Sequence, residues 1–134
     1  MTFLIDTSAI WHLLRNPAAR EVWEQEISAH SIGVSDATRA EFLFSARSPR
    51  HRDELAEDLD LAFAHVPVPK KAWTWIDTAQ YKLTQMGQHR SAGVVDLLLC
   101  ATAVLHGLTL LHVDNDFKTV ASVLPELQQR DIRR

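Results

Sequence analysis

One cysteine in 134 residues leaves no internal disulfide framework to form. Set in Leu97-Leu98-Leu99-Cys100-Ala101, Cys100 reads as a small buried apolar residue, and we assign it no chemistry. No apolar run reaches bilayer-spanning length. The amino end lacks the pattern of a signal peptide, because no positive flank precedes the first apolar run and Asp6 interrupts it, so a soluble, cytoplasmic protein without membrane partners is expected. Internal repeats, low-complexity segments and linkers are also missing. With 46% hydrophobic residues the chain suffices for one packed core and not for two, which predicts a single domain over residues 1–134. Positive charge is not in excess either. A net charge of −3 lends no support to a nucleic-acid partner unless several carboxylates share one metal-holding pocket, which would leave the remaining surface close to balanced or slightly basic. Basic residues do cluster locally, as Arg39, Arg47, Arg50, His51 and Arg52, with Arg15, Arg20, His89, Arg90 and Lys118 elsewhere.

The chain has no hairpin signal of the Asn-Gly type, and short apolar runs alternate with helical patterns, which together point to a parallel sheet wrapped by helices. Phe3-Leu4-Ile5 is an uninterrupted apolar triplet that stops at Asp6-Thr7-Ser8, and Leu108 to Val113 repeats the design before Asp114-Asn115-Asp116. Both read as central, neighbouring strands that deliver acid at the sheet's carboxyl edge, where open α/β sheets keep their ligands. Ile32-Gly33-Val34 is a brief strand, His65 to Val68 an edge strand because of Pro67, and Leu127 to Ile132 a last edge strand. Helices are expected over Ala9 to Leu14, Ala18 to His30 (inward face Ala19, Val22, Trp23 and Ile27), from a Ser35 or Asp36 cap (face Ala37, Ala40, Leu43 and Phe44), through Leu55, Leu59, Ala62 and Phe63, over Lys70 to Met86, and over Lys118 to Leu124. Gly93 to His106 is apolar on almost every side and is expected to be buried nearly all round.

Asp96 is the only Asp, Glu, Lys or Arg between Arg90 and Asp114. In so apolar a helix it must be hydrogen-bonded, paired or metal-bound, unless it is simply an acid favoured in the first helical turn. Asp6 has a similar modest alternative as a helix cap. The topology sketched above brings Asp6, Asp96, Asp114 and Asp116 to one crevice, joined by Glu41 if its helix packs beside the first strand. Such a set cannot stay fully ionised without a cation, and all-oxygen ligands select Mg²⁺ or Mn²⁺ over zinc. His106 and His112 form no ligand pair and read as satisfied core or rim residues. A carboxylate-held Mg²⁺ suits phosphoryl chemistry. An aspartyl phosphatase would carry a second aspartate where Ser8 stands, and a phospho-receiver domain would need an acidic pair at the first strand.

Leu4-Ile5-Asp6-Thr7-Ser8, Glu41, His89-Arg90-Ser91 before Asp96, and His112-Val113-Asp114-Asn115-Asp116-Phe117 together resemble the PIN-domain ribonucleases of the VapC toxin family. The resemblance spans essentially the whole chain. It implies a three-layer α/β/α fold on a central parallel sheet of about five strands, and a Mg²⁺-dependent endoribonuclease with Mn²⁺ able to substitute. It also implies homodimers, a cognate antitoxin, and structured RNA substrates such as tRNA or rRNA. Asp6, Glu41, Asp96 and Asp114 match the family's acidic quartet, with Asp116 as an additional metal ligand, Ser8 and Thr7 in support, and Arg39 and Arg90 as RNA contacts. Rival readings are a non-enzymatic PIN-like interaction subunit and, more weakly, a metal-dependent phosphatase or DNA nuclease. Trp11, Trp23 and the Leu55-Leu59-Phe63 stripe exceed what so small a domain readily buries, which predicts that an antitoxin helix docks there, with internal packing of Trp11 as the alternative.

Overall fold

The computed structural model describes residues Met1–Arg134. Five strands, β1 (Phe3–Ile5), β2 (Ile32–Ser35), β3 (Ala64–Val66), β4 (Thr109–His112) and β5 (Gln129–Asp131), form one sheet in the order β3-β2-β1-β4-β5. Every neighbouring pair is parallel. Around it run α1 (Thr7–Arg15), α2 (Pro17–Ser28), α3 (Asp36–Leu43), α4 (Pro49–Ala62), α5 (Ala72–Gln85), α6 (Val94–His106) and α7 (Asn115–Val123). Side chains on a strand alternate between faces, and the core divides accordingly. Leu4 and Leu110 pack with α5, α6 and α7, whereas Ile5 and Leu111 pack with α1 to α4, giving the expected three-layer α/β/α arrangement.

The chain builds outward from β1 through β2 to β3, then returns to the other side of β1 with β4, so the order reverses between β1 and β4. Ile5 is in register with Leu111, and the Asp6 N–H donates to the Leu111 carbonyl at 2.9 Å. This register brings Asp6 and Asp114 out at the same edge, at the switch point. No helix is long and apolar enough to cross a membrane.

Helix faces depart from expectation in three places. On α3, Thr38, Phe42 and Leu43 are buried while Ala40 is exposed and Phe44 is 92% exposed. The Ser35 hydroxyl accepts the Thr38 N–H and donates to Thr38 Oγ1, which turns Thr38 inward, and Phe42 packs on the Trp11 ring. On α2 the stripe is narrower than its spacing suggests, since Val22 faces solvent while Trp23 is buried against Phe3 with Arg130 over its ring. α6 is buried through its middle turns, yet Val94, Val95 and Leu105 at its ends are exposed. Cys100 lies in that buried stretch, and burial, with the charges of Asp96 and Asp6, pushes its thiol upward so that it stays protonated. Gly87, at φ 69°, provides the left-handed turn that ends α5, as its position predicts.

Candidate acidic site at the carboxyl edge of the sheet

Asp6 leaves β1 in an extended conformation and caps α1, which therefore starts at Thr7 rather than at Ala9. Its carboxylate accepts the Ser8 N–H at 3.2 Å and the Ser8 hydroxyl at 2.6 Å. Asp114 does the same for α7, accepting the Asp116 N–H at 2.9 Å, so that helix begins at Asn115 rather than at Lys118. The capping role is thus shown for both aspartates, and it does not conflict with a functional one. A capping carboxylate uses one oxygen on the backbone and keeps lone pairs for another partner.

Burial raises the Asp6 carboxyl, outweighing the two Ser8 hydrogen bonds that favour its ionised form, and the charge of Glu41 raises it further. Asp96 sits half-buried in the first turn of α6, where burial, then the charges of Asp6, Asp114 and Glu41, push it up to about 6. Acids from four elements are therefore close enough for Asp6, Asp114 and Glu41 all to act on Asp96, and Glu41 is the exposed member of the set. Thr7 Oγ1 donates to Glu41 Oε1 at 2.5 Å, tying α3 to the start of α1. Asp116, on the exposed first turn of α7, is not among the charges acting on Asp6 or Asp96.

Nowhere do three His, Cys, Asp or Glu side chains already stand close enough to grip one ion. The fit to a hard divalent cation rests on donor chemistry instead, because the converging ligands are all carboxylate oxygens, and burial with neighbouring negative charge holds back the ionisation of Asp6 and Asp96. Mg²⁺ keeps several waters and needs only one or two direct carboxylates, so a closed cage is not required.

The two arginines singled out in the sequence are not placed alike. Arg39 makes a bidentate pair with Asp60 of α4 at 3.0 and 3.2 Å, while Arg90 is exposed in the turn before α6. His106 is exposed and bonds the Pro67 carbonyl, whereas His112 is fully buried, and both are satisfied as expected.

A separate apolar groove of about 340 Å³ lies between α1, α2 and α4, lined by Ile10, Leu13, Leu14, Ile27, Leu55 and Phe63 among others, with Arg20 and Asp58 as its charged members. Arg20 is held there by donating to the Leu13 and Leu14 carbonyls at the end of α1. The expected docking face is thereby redrawn. Trp23 belongs to the core, and Trp11 does not line the groove but is half-buried between Phe42 and Arg15. Leu14, Ile27 and Arg20, which were not part of the expected docking face, do line it.

Residues 3–123 match the PIN domain family, and Ribonuclease VapC6 of Mycobacterium tuberculosis is 37% identical over 109 residues, covering 81% of this chain and 86% of that protein. The chain belongs to the PIN-domain family and, within it, to the VapC ribonucleases. Ribonuclease VapC18 of the same organism is 36% identical over 125 residues, covering 92% of this chain and 90% of that protein. The PIN-domain fold is matched by DNA-bound VapBC from Salmonella typhimurium, with a TM-score of 0.80 at 17% identity and 98% of each chain covered. VapBC-1 from nontypeable Haemophilus influenzae matches with a TM-score of 0.79 at 18% identity over the full length of both chains.

Proposed function

We propose that this single PIN domain, residues 1–134, is a Mg²⁺-dependent endoribonuclease, active also with Mn²⁺, and the cytoplasmic toxin of a type II toxin–antitoxin pair. Its substrates are structured RNAs such as tRNA or rRNA. The observation that carries this reading is the gathering of Asp6, Glu41 and Asp114 around the half-buried Asp96, whose carboxyl their charges help to raise, an arrangement suited to a divalent cation and costly without one.

Asp6, Glu41, Asp96 and Asp114 form the catalytic set, and Asp6, Asp96 and Asp114 would hold the metal, with Asp116, exposed on the first turn of α7, as an additional ligand. When bound, the cation supplies a water acidic enough to act as nucleophile near neutral pH, screens the phosphate oxygens and stabilises the leaving oxygen. Ser8 fixes the rotamer of Asp6, and Thr7 fixes Glu41 through Oε1, leaving Glu41 Oε2 free to accept a proton from the attacking water. Arg90 is the better placed RNA contact. Arg39, engaged by Asp60, contributes chiefly by keeping α3 and α4 together.

Solved structures of the same fold include toxin–antitoxin complexes, and the groove between α1, α2 and α4 suits an amphipathic helix from such a partner, with Arg20 and Asp58 fixing its register. A homodimer is proposed on family resemblance. The reading is tested by incubating the purified protein with total RNA, tRNA and DNA, with and without Mg²⁺, beside Asp6→Asn and Asp96→Ala. Metal-dependent cleavage of RNA that both variants lose is expected. A protein that binds its antitoxin yet cuts neither nucleic acid would be an interaction subunit instead.

A further inference from the structure

His112 ends β4 with no exposure to solvent and both ring nitrogens engaged. Nε2 lies 2.5 Å from Gln129 Oε1 on β5, and Nδ1 lies 3.1 Å from the Asp114 backbone nitrogen. A backbone N–H can only donate, so Nδ1 is the acceptor and the ring carries its proton on Nε2, which donates to Gln129 Oε1. The ring also rests on Phe117, in the first turn of α7, at 5.1 Å between centroids. Immediately beside it, the Val113 N–H donates to Ser8 Oγ, the hydroxyl that holds Asp6. The first two N–H groups beyond β4 are thus captured by side chains, leaving the Asp114 carboxylate turned toward α7 and the acids.

We infer that the His112–Gln129 pair is a positioning device that fixes the peptide of Asp114 and thereby the metal-holding arrangement of the acids. The inference rests on the proposed metal site and adds to it a partner beyond the carboxylates. Gln129 selects the tautomer, the tautomer supplies the acceptor, and the acceptor sets the turn from which Asp114 projects. Second-layer partners of this kind alter metal affinity without touching the ion.

Asparagine places its carbonyl oxygen close to where Nδ1 stands and favours the same i to i+2 bond, whereas glutamine reaches toward Gln129 and puts no acceptor there. The test measures the Mn²⁺ and Mg²⁺ concentrations that half-maximally raise the melting temperature, and the kcat and KM for RNA, of wild type, His112→Asn, His112→Gln and Gln129→Leu. The expected result is a metal midpoint near wild type for His112→Asn and roughly tenfold or more higher for His112→Gln, with Gln129→Leu between them. RNA cleavage at saturating metal should recover toward the wild-type kcat with KM little changed. Equal midpoints for His112→Asn and His112→Gln, at whatever cost in stability, would reduce His112 to a core residue. A wild type that does not respond to metal at all would overturn the metal site itself, and this inference with it.

Discussion

The Ser8 hydroxyl and the Val113 amide, 105 positions apart in the chain, meet at 3.0 Å across the edge where β1 and β4 end. The same hydroxyl donates to Asp6 at 2.6 Å, so one small side chain joins the two strands and fixes an acid. Ser8→Ala should therefore strand the Val113 N–H and loosen Asp6 together. We expect a loss of about 1–3 kcal/mol in stability by denaturant titration. RNA cleavage should drop by more than that instability explains at a temperature where the variant is fully folded.

Asp6→Asn keeps an oxygen to cap α1 and removes the charge. Because burial already raises the Asp6 carboxyl, the metal-free variant should melt at the wild-type temperature or above, while cleavage is lost. Circular dichroism melts beside an RNA assay check both halves, and cleavage at the wild-type rate would remove Asp6 from the site.

The acids that end β1 and β4 were legible because an apolar run broken by a carboxylate signals both a buried strand and its exit edge. Asp96 was legible for a related reason, as the sole charge in an apolar helix. Sequence spacing failed where a partner from a distant element decided the outcome. Phe42 is turned inward against Trp11 of α1, and Val22 is left in solvent because Trp23 beside it takes the inward place against Phe3 and Arg130. Of the groove, only the Leu55-Leu59-Phe63 wall was legible, because Leu14 and Ile27 belong to two other helices and join it only in the folded chain.

Burial and neighbouring negative charge hold Asp96 up to about 6 in the fold, against an ordinary value of 3.8. The folded chain therefore binds a proton that the unfolded chain has released between those values, and stability of the metal-free protein falls as pH rises through that window. Asp131 runs the other way, since Arg133 depresses its carboxyl and its contribution is lost only as pH falls below the ordinary range. Asp96→Asn cancels the first effect alone. Its melting temperature relative to wild type should climb from about pH 4 to about pH 6 and then level off, and added Mn²⁺ should stabilise only the wild type.

Trp11 and Leu14 sit on the same helix and are expected to answer differently to substitution. Trp11 stacks on Phe42 at 4.9 Å with the Arg15 guanidinium 5.2 Å from its ring, so Trp11→Ala should cost on the order of 2 kcal/mol in stability and leave antitoxin affinity nearly unchanged. Leu14 is 45% exposed and lines the groove, where it gives little to the core but offers an anchor for an apolar partner. Leu14→Glu puts a carboxylate in that wall and leaves the acidic site untouched, so RNA cleavage by the free protein should match wild type. Neutralisation by antitoxin should weaken by about 2 kcal/mol or more, roughly thirtyfold in Kd. Titrating antitoxin against nuclease activity for both variants, with melting curves alongside, separates the two roles. Undiminished neutralisation of Leu14→Glu would mean that the partner docks elsewhere on the domain.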